Sequence, residues 1–314
     1  DANFNVAIVR LMEGRFNLGL RNYEWRWKGP LLGQVRDFER PLWLGDASLE
    51  GKSILISTEQ GLGDFIQFSR YLPQLAHLAR EVIVETHPSL QRLMKSLNGR
   101  FRWITLGSPL PKTDYYCPIM SLPLAFQTSL ETIPAETPYL SVAPTVSALW
   151  QKRLGPKSRP RIGLVWSGGS HYQNDRKRSL SFAQIKPLLN NDAFEYHILQ
   201  KDLRPIDQKP VMETQNLTFH GDQLNDFMDT AALIEEMDLV ISVDTSTAHL
   251  AGALRKPLWI LIPFSPDFRW LLDRNDSPWY PSAKLYRQQQ PGNWDGVVKL
   301  VSDDLSKSPP TLSA

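Results

Sequence analysis

Residues 53–70 read SILISTEQGLGDFIQFSR, an apolar run that passes through a glycine-containing turn into an amphipathic stretch. The run SILIS at 53–57 is typical of a buried β-strand, and the residues from Asp64 to about Ala79 have helical spacing. The turn places Gly61 and Gly63 beside the Asp64 carboxylate. Two interpretations of Asp64 stay open: a cap on the helix, or a base that takes a proton from a substrate hydroxyl.

This order of strand, turn and helix recurs along the chain in two series. Short apolar or β-branched runs that predict strands lie at 53–57, 81–85, 101–106, 114–119, 161–166, 195–200, 216–221, 238–244, 257–263 and 284–288. Helical patterns separate most of these runs, which is typical of parallel βαβ units. We therefore expect an α/β fold with two Rossmann-like domains that face each other across a cleft. Ligands of such sheets bind beyond the carboxyl ends of the strands.

The first 30 residues have a different pattern, with two short helices around Gly14. Their layout resembles the last unit of a tetratricopeptide array, at Asn5, Ala7, Leu11, Gly14, Phe16 and Tyr23. An ordinary helical hairpin is the open alternative. One such repeat cannot bury its own apolar faces, so we expect further repeats upstream in a longer protein. The expected domains are 1–30, 31–150, 151–290, and a terminal helix at 291–314 that crosses back to the first half and ends in a flexible tail.

Composition and charge exclude several classes of protein. The formal net charge of +2 over 314 residues does not indicate a nucleic-acid binder. Cys117 is the sole cysteine, which excludes an internal disulfide and fits a cytoplasmic location. No apolar run approaches the roughly 18–20 residues of a membrane span. We expect no metal site, because His77, His87, His197 and His220 lack the spacing of metal ligands.

The segment DLVISVDTSTAHLAGAL at 238–254 predicts an anion site. Asp244, Thr245 and Ser246 follow a predicted strand and open a helix, whose free backbone N–H groups and dipole favour a phosphate. His249 lies four residues after Thr245 and projects from the same helical face. The alternative is that Asp244 or Thr245 only caps the helix and His249 packs in the core.

Two further strand ends carry groups that suit an anion. The loop after 161–166 reads WSGGSHYQNDRKRS, with two glycines and the cations Arg176, Lys177 and Arg178. The strand at 195–200 is followed by Lys201. A P-loop is excluded because GxxxxGK[ST] is absent, and an NAD site is excluded because Gly61 and Gly63 do not continue as GxGxxG. Together these strand ends predict a ligand that bears a diphosphate.

Three segments carry a resemblance to a known family: GLGDFIQFSRYL at 61–72, GLVWSGGSHYQNDRKRSLSF at 163–182 and LVISVDTSTAHLAGALRKPLWILIP at 239–263. They resemble the glycosyltransferases that include the lipopolysaccharide heptosyltransferases, and more closely bacterial tetratricopeptide-repeat proteins with this transferase domain at the C-terminus. The similarity covers nearly the whole chain, including 264–288. It implies the GT-B architecture and an inverting reaction without a bound metal or other cofactor.

The resemblance also assigns roles to residues. It implies that Asp64 is the catalytic base and that Asp244, Thr245, Ser246 and His249 contact the donor diphosphate and sugar. The family's basic residue in the first loop of the second half matches Arg176, Lys177 or Arg178, of which we favour Arg178. The other residues assigned to substrate binding are Gly61, Gly63, Gln67, Trp166, Ser167, Gly168, Gln200 and Lys201. The family places a ribose-binding glutamate where this chain has Gln200-Lys201-Asp202, so the nucleotide is left open.

The expected function is transfer of a sugar from a nucleotide-diphosphate sugar to a hydroxyl on a protein, a peptide or a glycan. Two alternatives remain. One is a non-catalytic repeat scaffold that binds a nucleotide or glycan, and the other is a sugar-nucleotide epimerase, which would need no acceptor.

Overall fold

A computed structural model describes residues 2–169 and 175–311 of the chain. The chain forms two compact units: unit 1 comprises Asp1–Glu136 and Pro266–Arg274, and unit 2 comprises Thr137–Ser265 and Asn275–Ala314. The division falls at 136/137, whereas the sequence placed it at 150/151. The difference arises because helix Pro144–Leu154 packs on unit 2, where Trp150 is completely buried and donates its indole N–H to Asp229.

Unit 1 contains a four-stranded parallel sheet in the order β3-β2-β1-β4. Its strands are β1 (Ser53–Ser57), β2 (Glu81–Thr86), β3 (Phe101–Thr105) and β4 (Tyr115–Pro118). Its helices are α1 (Ala2–Met12), α2 (Phe16–Tyr23), α3 (Leu62–Phe68), α4 (Leu72–Leu78), α5 (Gln91–Met94) and α6 (Leu122–Ala125). The four strands lie within one or two residues of their predicted positions, because each is a short run rich in apolar or β-branched residues.

Helices α1 and α2 form the expected hairpin, packed through Ala7, Leu11, Phe16 and Leu20. Gly19 lets the helices approach, since a Cβ there would lie 2.7 Å from the Leu11 side chain. The hairpin agrees with both open interpretations, and its tetratricopeptide character stays a prediction.

Residues 31–50 are an ordered part of unit 1, although the sequence has the composition of a linker. Phe38 is buried against Leu55 and Ile83 and covers part of the sheet. Leu42 forms an isolated parallel bridge with Tyr116 at the edge of β4. This segment thereby covers apolar surface and a strand edge that would otherwise be open.

Unit 2 contains a six-stranded parallel sheet in the order β10-β9-β8-β5-β6-β7. Its strands are β5 (Arg161–Val165), β6 (Glu195–Ile198), β7 (Leu217–Phe219), β8 (Leu239–Val243), β9 (Leu258–Ile262) and β10 (Ala283–Arg287). Its helices are α7 (Pro144–Leu154), α8 (Asp175–Arg178), α9 (Phe182–Ile185), α10 (Pro205–Met212), α11 (Phe227–Glu235), α12 (Ser246–Ala253) and α13 (Trp294–Lys307). The sequence did not predict α10, which carries an internal proline.

The terminal helix α13 belongs to unit 2. The crossing back to the first half that the sequence suggested stays a prediction. The apolar face of α13, which includes Trp294, Val297 and Val301, is buried in the main core of unit 2. Asp304 of the same helix accepts hydrogen bonds from Lys284 and Tyr286 of β10. Among the described residues, no helix has the length and apolar character to cross a membrane.

A buried pair of histidines, His197 and His220, lies at one side of this sheet. His197 Nδ1 lies 3.0 Å from His220 Nε2. Burial, with the nearby His220 and Arg161, lowers the pKa of His197 to about 3. Burial, with Arg153 and Arg161, lowers the pKa of His220 to about 4.

We expect stability to fall on acidification from about pH 6.5, the ordinary histidine pKa, toward pH 4. In this window the unfolded chain protonates both imidazoles and the folded chain does not, so unfolding takes up protons. The free energy of unfolding should fall by about 1 kcal/mol per pH unit for each histidine. Urea titrations between pH 7 and pH 5 measure this slope.

A double variant, His197→Gln with His220→Gln, removes both titrating groups and should flatten the slope. The matched control is His77→Gln on α4, where the side chain is exposed. An unchanged slope in the double variant would show that other groups govern the pH dependence.

Candidate functional site

The strand order of the unit 2 sheet reverses between β5 and β8. The chain adds β6 and β7 on one side of β5, and then β8, β9 and β10 on the other. In open parallel sheets, ligands bind beyond the carboxyl ends of the two strands at such a reversal. Residues 166–169 follow β5, and Asp244 and Thr245 follow β8. The structure thus brings together two segments that the sequence assigned to donor binding.

Helix α12 begins at this point without a side-chain cap. Thr245 is its N-cap residue, but the Thr245 side chain makes no capping hydrogen bond. Its hydroxyl lies instead 3.2 Å from the Ser242 hydroxyl. The first N–H groups of a helix lack intrahelical partners and lie at the positive end of the dipole. This helix start therefore suits a phosphate group, as the sequence predicted.

Two arginines share one buried carboxylate beside this helix start. Asp175 Oδ1 accepts a bond from Arg178 Nε at 3.3 Å, and Asp175 Oδ2 pairs with Arg204. Arg178 also donates to the main-chain oxygen of Asp244 at 2.8 Å, which joins the loop after β5 to the loop after β8. Arg178 and Arg204 exceed the Asp175 carboxylate by one positive charge, and the Asp244 carboxylate beside them offsets it. The attraction for an anionic ligand therefore comes from the guanidinium N–H donors and not from a net charge.

The structure distinguishes Arg178 from Arg176 and Lys177, the three cations among which the loop sequence alone could not identify the donor-binding residue. Arg176 and Lys177 are exposed, whereas Arg178 is partly buried and contacts Asp244. Gly168 is needed for this arrangement, because a Cβ at Gly168 would lie 2.5 Å from both Arg178 and Asp175. The predicted loop between these groups includes residues 170–174, which lie outside the described residues.

His249 is buried and holds the segment after β8 in place. Its Nδ1 lies 2.9 Å from the Tyr280 hydroxyl, and its Nε2 lies 3.7 Å from Asp244 Oδ1. Gly252 lets the Tyr280 ring approach α12, since a Cβ there would lie 2.4 Å from the ring. The sequence analysis missed Tyr280, although it lies in the aromatic segment 264–288 that was part of the resemblance.

Several predicted substrate-binding residues of unit 2 are buried and make internal contacts. Trp166 is completely buried and donates its indole N–H to Asp207 at 3.0 Å. The Gln200 amide accepts from Trp166 N–H and donates to Ser167, so it joins the loops after β5 and β6. These side chains hold the loops after β5 and β6 in position through internal hydrogen bonds. Lys201 is exposed and Ser246 is partly buried at the first position of α12.

In unit 1, Asp64 is the third residue of α3, which begins two residues earlier than predicted. Asp64 Oδ2 accepts the backbone N–H of Gly61 at 2.7 Å, the contact of a capping box. A Cβ at Gly61 would lie 2.9 Å from the same oxygen, so glycine keeps the carboxylate in place. Asp64 therefore does cap the helix, one of the two interpretations left open.

The second carboxylate oxygen of Asp64 is paired with Arg269, a residue that the sequence analysis missed. Arg269 is held by Asp267, whose Oδ1 lies 2.7 Å from Arg269 Nη1 and accepts the Arg269 backbone N–H. A carboxylate has about four lone-pair positions, so the cap and this ion pair are compatible with acceptance of a substrate proton. Asp64 is ordered by two contacts and keeps an 18% exposed side chain.

The loop before Asp64 is fixed by residues from the hairpin region. Glu59 accepts two hydrogen bonds from the buried Arg26, both at 2.9 Å. Gln60 has a positive φ of 54°, a conformation that favours glycine, and its amide donates to the Tyr23 hydroxyl. Gln67, predicted to contact substrate, is completely buried because its side of α3 faces the core, as do Phe65 and Phe68. Gly63 lies inside the first turn of α3.

Metal ligands do not cluster at either location. Within residues 2–169 and 175–311, histidine, cysteine, aspartate and glutamate form no group of three or more that could hold a metal ion. Arginines lie at both locations: Arg178 and Arg204 in unit 2, and Arg269 in unit 1.

Two known proteins are similar to this chain in sequence. Protein FlbA of Caulobacter vibrioides is 27% identical over 332 residues, covering 96% of this chain and 54% of FlbA. A protein of Escherichia coli K12, provisionally named lipopolysaccharide heptosyltransferase 4, is 31% identical over 105 residues, 33% of this chain and 24% of that protein. The chain thus spans about half of FlbA and a quarter of the second relative. No protein-family model matches the chain.

Solved structures share the fold. A glycosyl transferase family 9 protein of Veillonella parvula DSM 2008 has a TM-score of 0.57 at 13% identity, covering 82% of this chain and 96% of that chain. The ADP-heptose lps heptosyltransferase II of Escherichia coli has a TM-score of 0.54 at 14% identity, covering 81% and 98%. The α/β fold with parallel sheets is therefore that of these heptosyltransferase-like proteins.

Proposed function

We propose that the chain is an inverting glycosyltransferase that moves a sugar from a nucleotide-diphosphate sugar to an acceptor hydroxyl without a bound metal. The observation that carries this proposal is the reversal point of the unit 2 sheet, where Arg178 joins two strand-end loops beside the uncapped start of α12. The names of the structural neighbours support the same class of donor.

In this proposal, unit 2 binds the donor through its diphosphate. The N–H groups at the start of α12 and the Arg178 guanidinium contact phosphate oxygens. Arg204 pairs with Asp175 and thereby offsets the negative charge of the carboxylate that holds Arg178. These groups stabilise the charge that develops on the leaving diphosphate, which in other enzymes is often the role of a metal ion.

Asp64 of unit 1 acts as the general base. It accepts the proton of the acceptor hydroxyl, whose oxygen attacks the anomeric carbon while the bond from that carbon to the diphosphate breaks. The new glycosidic bond forms on the face opposite the leaving group, which inverts the anomeric configuration. Arg269 and the Gly61 N–H position the carboxylate. The acceptor hydroxyl belongs to a protein, a peptide or a glycan.

A thermal-shift screen against nucleoside diphosphates and their sugars tests the donor assignment. A ligand at 100 times its dissociation constant should stabilise the folded chain by about 2.7 kcal/mol. The best nucleotide sugar is then incubated in EDTA with the chain and with a mixture of peptide and glycan acceptors, and release of nucleoside diphosphate is measured. We expect at least one nucleotide sugar to bind and to be consumed.

Each alternative has a distinct result in the same assay. Binding without any consumption of donor supports a non-catalytic scaffold, whereas conversion of the sugar within an intact nucleotide sugar supports an epimerase. If none of the nucleotides shifts the melting temperature, the donor site assigned to unit 2 is wrong.

A further inference from the structure

Unit 1 has a cavity of about 540 Å³ at the carboxyl edge of its sheet. The carboxyl ends of all four strands contribute to it: Thr58, His87 and Leu106 follow β1, β2 and β3, and Pro118 is the last residue of β4. Such a volume is in the range of sites for small ligands. The cavity also reaches Gly61, whose N–H holds the Asp64 carboxylate, so an occupant lies beside the loop that positions the base.

The segment 24–44 forms one wall of the cavity, and side-chain contacts hold it against the unit 1 sheet. Phe38 is buried and stacks on Tyr116 with ring centroids 4.4 Å apart. Arg36 donates two hydrogen bonds, of 2.6 and 3.0 Å, to the completely buried Glu85 at the end of β2. The cavity is therefore preformed and does not need a ligand to assemble it.

Three charged side chains of the lining are paired within the protein, and a further one, Lys28, is exposed and lies over the Trp25 ring, 4.7 Å from its centroid. Glu24 and Glu59 both pair with Arg26, and Arg36 pairs with Glu85. Glu59 and Arg36 use their hydrogen-bonding groups in these pairs, whereas Glu24 Oε2 is buried without a hydrogen-bond partner among the described residues. With Lys28 counted, the charges of these side chains cancel. An acceptor that carries phosphate or carboxylate groups would find both arginines already bound to carboxylates, and Lys28 alone as a further cation of the lining.

Apolar groups provide most of the remaining lining. They are Trp27, Val35, Leu42, Leu44, Leu62 and Leu106. A ligand with many hydroxyls would lose its hydrogen bonds to water against these side chains, whereas an apolar group gains free energy on burial.

We infer that this cavity binds an uncharged apolar group, aliphatic or aromatic, that lies next to the acceptor hydroxyl. The inference rests on the proposed function for the identity of its ligand as an acceptor. The group has two chemical sources: an apolar side chain beside a serine or threonine in a peptide, or the aryl aglycone of a glycoside.

Binding of matched probes to the full chain, without donor, tests the inference by NMR titration. The peptide probes are acetyl-Leu-Thr-amide, acetyl-Gly-Thr-amide and acetyl-Asp-Thr-amide, and the sugar probes are 4-nitrophenyl β-glucoside and glucose 6-phosphate. At least one apolar probe should bind at least about fivefold more tightly than its glycine, aspartate or phosphate counterpart. Preference within the peptide probes identifies a peptide as the source of the apolar group, and preference within the sugar probes identifies an aryl glycoside.

Two variants test the location. Leu106→Asp and Val35→Asp place a charge in the cavity wall at side chains that are 42% and 56% exposed, so the fold should tolerate them. Leu78→Asp is the matched control, since Leu78 is 48% exposed on α4 and does not line the cavity. Both cavity variants should weaken the preferred probe at least about fivefold, and the control should not.

The inference is overturned if the anionic probes bind as tightly as the apolar ones, or if neither cavity variant weakens binding. Because these titrations contain no donor, their result is independent of donor consumption. Apolar binding in the cavity with no donor consumption would contradict the proposed function and leave the cavity assignment intact. Donor consumption without selective binding of the apolar probes would contradict the cavity assignment and leave the proposed function intact.

Discussion

Asp64→Asn should reduce sugar transfer by at least about a hundredfold, the usual contribution of a general base, and leave donor affinity within about twofold. Asparagine can still accept the Gly61 N–H, so the helix cap is retained and only the ionisable group is lost. The measurement is the rate of nucleoside diphosphate release in the presence of acceptor, with donor affinity from a separate titration.

The matched control is Asp37→Asn, an exposed aspartate of unit 1 whose carboxylate accepts only a local backbone contact from Glu39 among the hydrogen bonds described. This variant should transfer sugar at the unmodified rate. Transfer at that rate by Asp64→Asn as well would show that Asp64 is a helix cap with no part in the chemistry.

Arg178→Met should weaken binding of the nucleoside diphosphate by at least about tenfold, since a hydrogen bond to a charged group contributes about 1.5–3 kcal/mol. The folded state should persist, because Asp175 keeps its pair with Arg204. Isothermal titration with the nucleoside diphosphate selected by the thermal-shift screen measures the effect.

Arg176→Met and Lys177→Met remove the same charge from exposed positions in the same helix, α8. They should change the affinity by no more than about twofold, as expected for screened surface charges. Equal losses in all three variants would indicate a diffuse electrostatic effect, and would contradict a direct contact between Arg178 and the diphosphate.

The strands and the reversal-point segments could be predicted from sequence because their signals are local. An apolar run such as SILIS at 53–57 is sufficient to predict a buried strand, and Asp244 and Thr245 lie directly after another such run. Arg178 was favoured over its neighbours only through the resemblance, and its contact with Asp244 gives it a structural reason.

Residues whose roles depend on distant contacts could not be predicted. Arg269 lies 205 positions from Asp64, and no periodicity links them. The burial of Gln67 and Gln200 depends on packing that a motif does not record, and their assignment to substrate binding stays a prediction. The segment 31–50 has the composition of a linker, yet Phe38 covers the sheet. The tetratricopeptide origin of the hairpin and the cleft between the two halves stay predictions.

The most direct test of the central claim is the anomeric configuration of the product, measured by proton NMR after incubation with donor and acceptor in EDTA. Inversion relative to the donor, dependent on Asp64, is the result that the account predicts. Retention of configuration, or a complete requirement for a divalent cation, would contradict it.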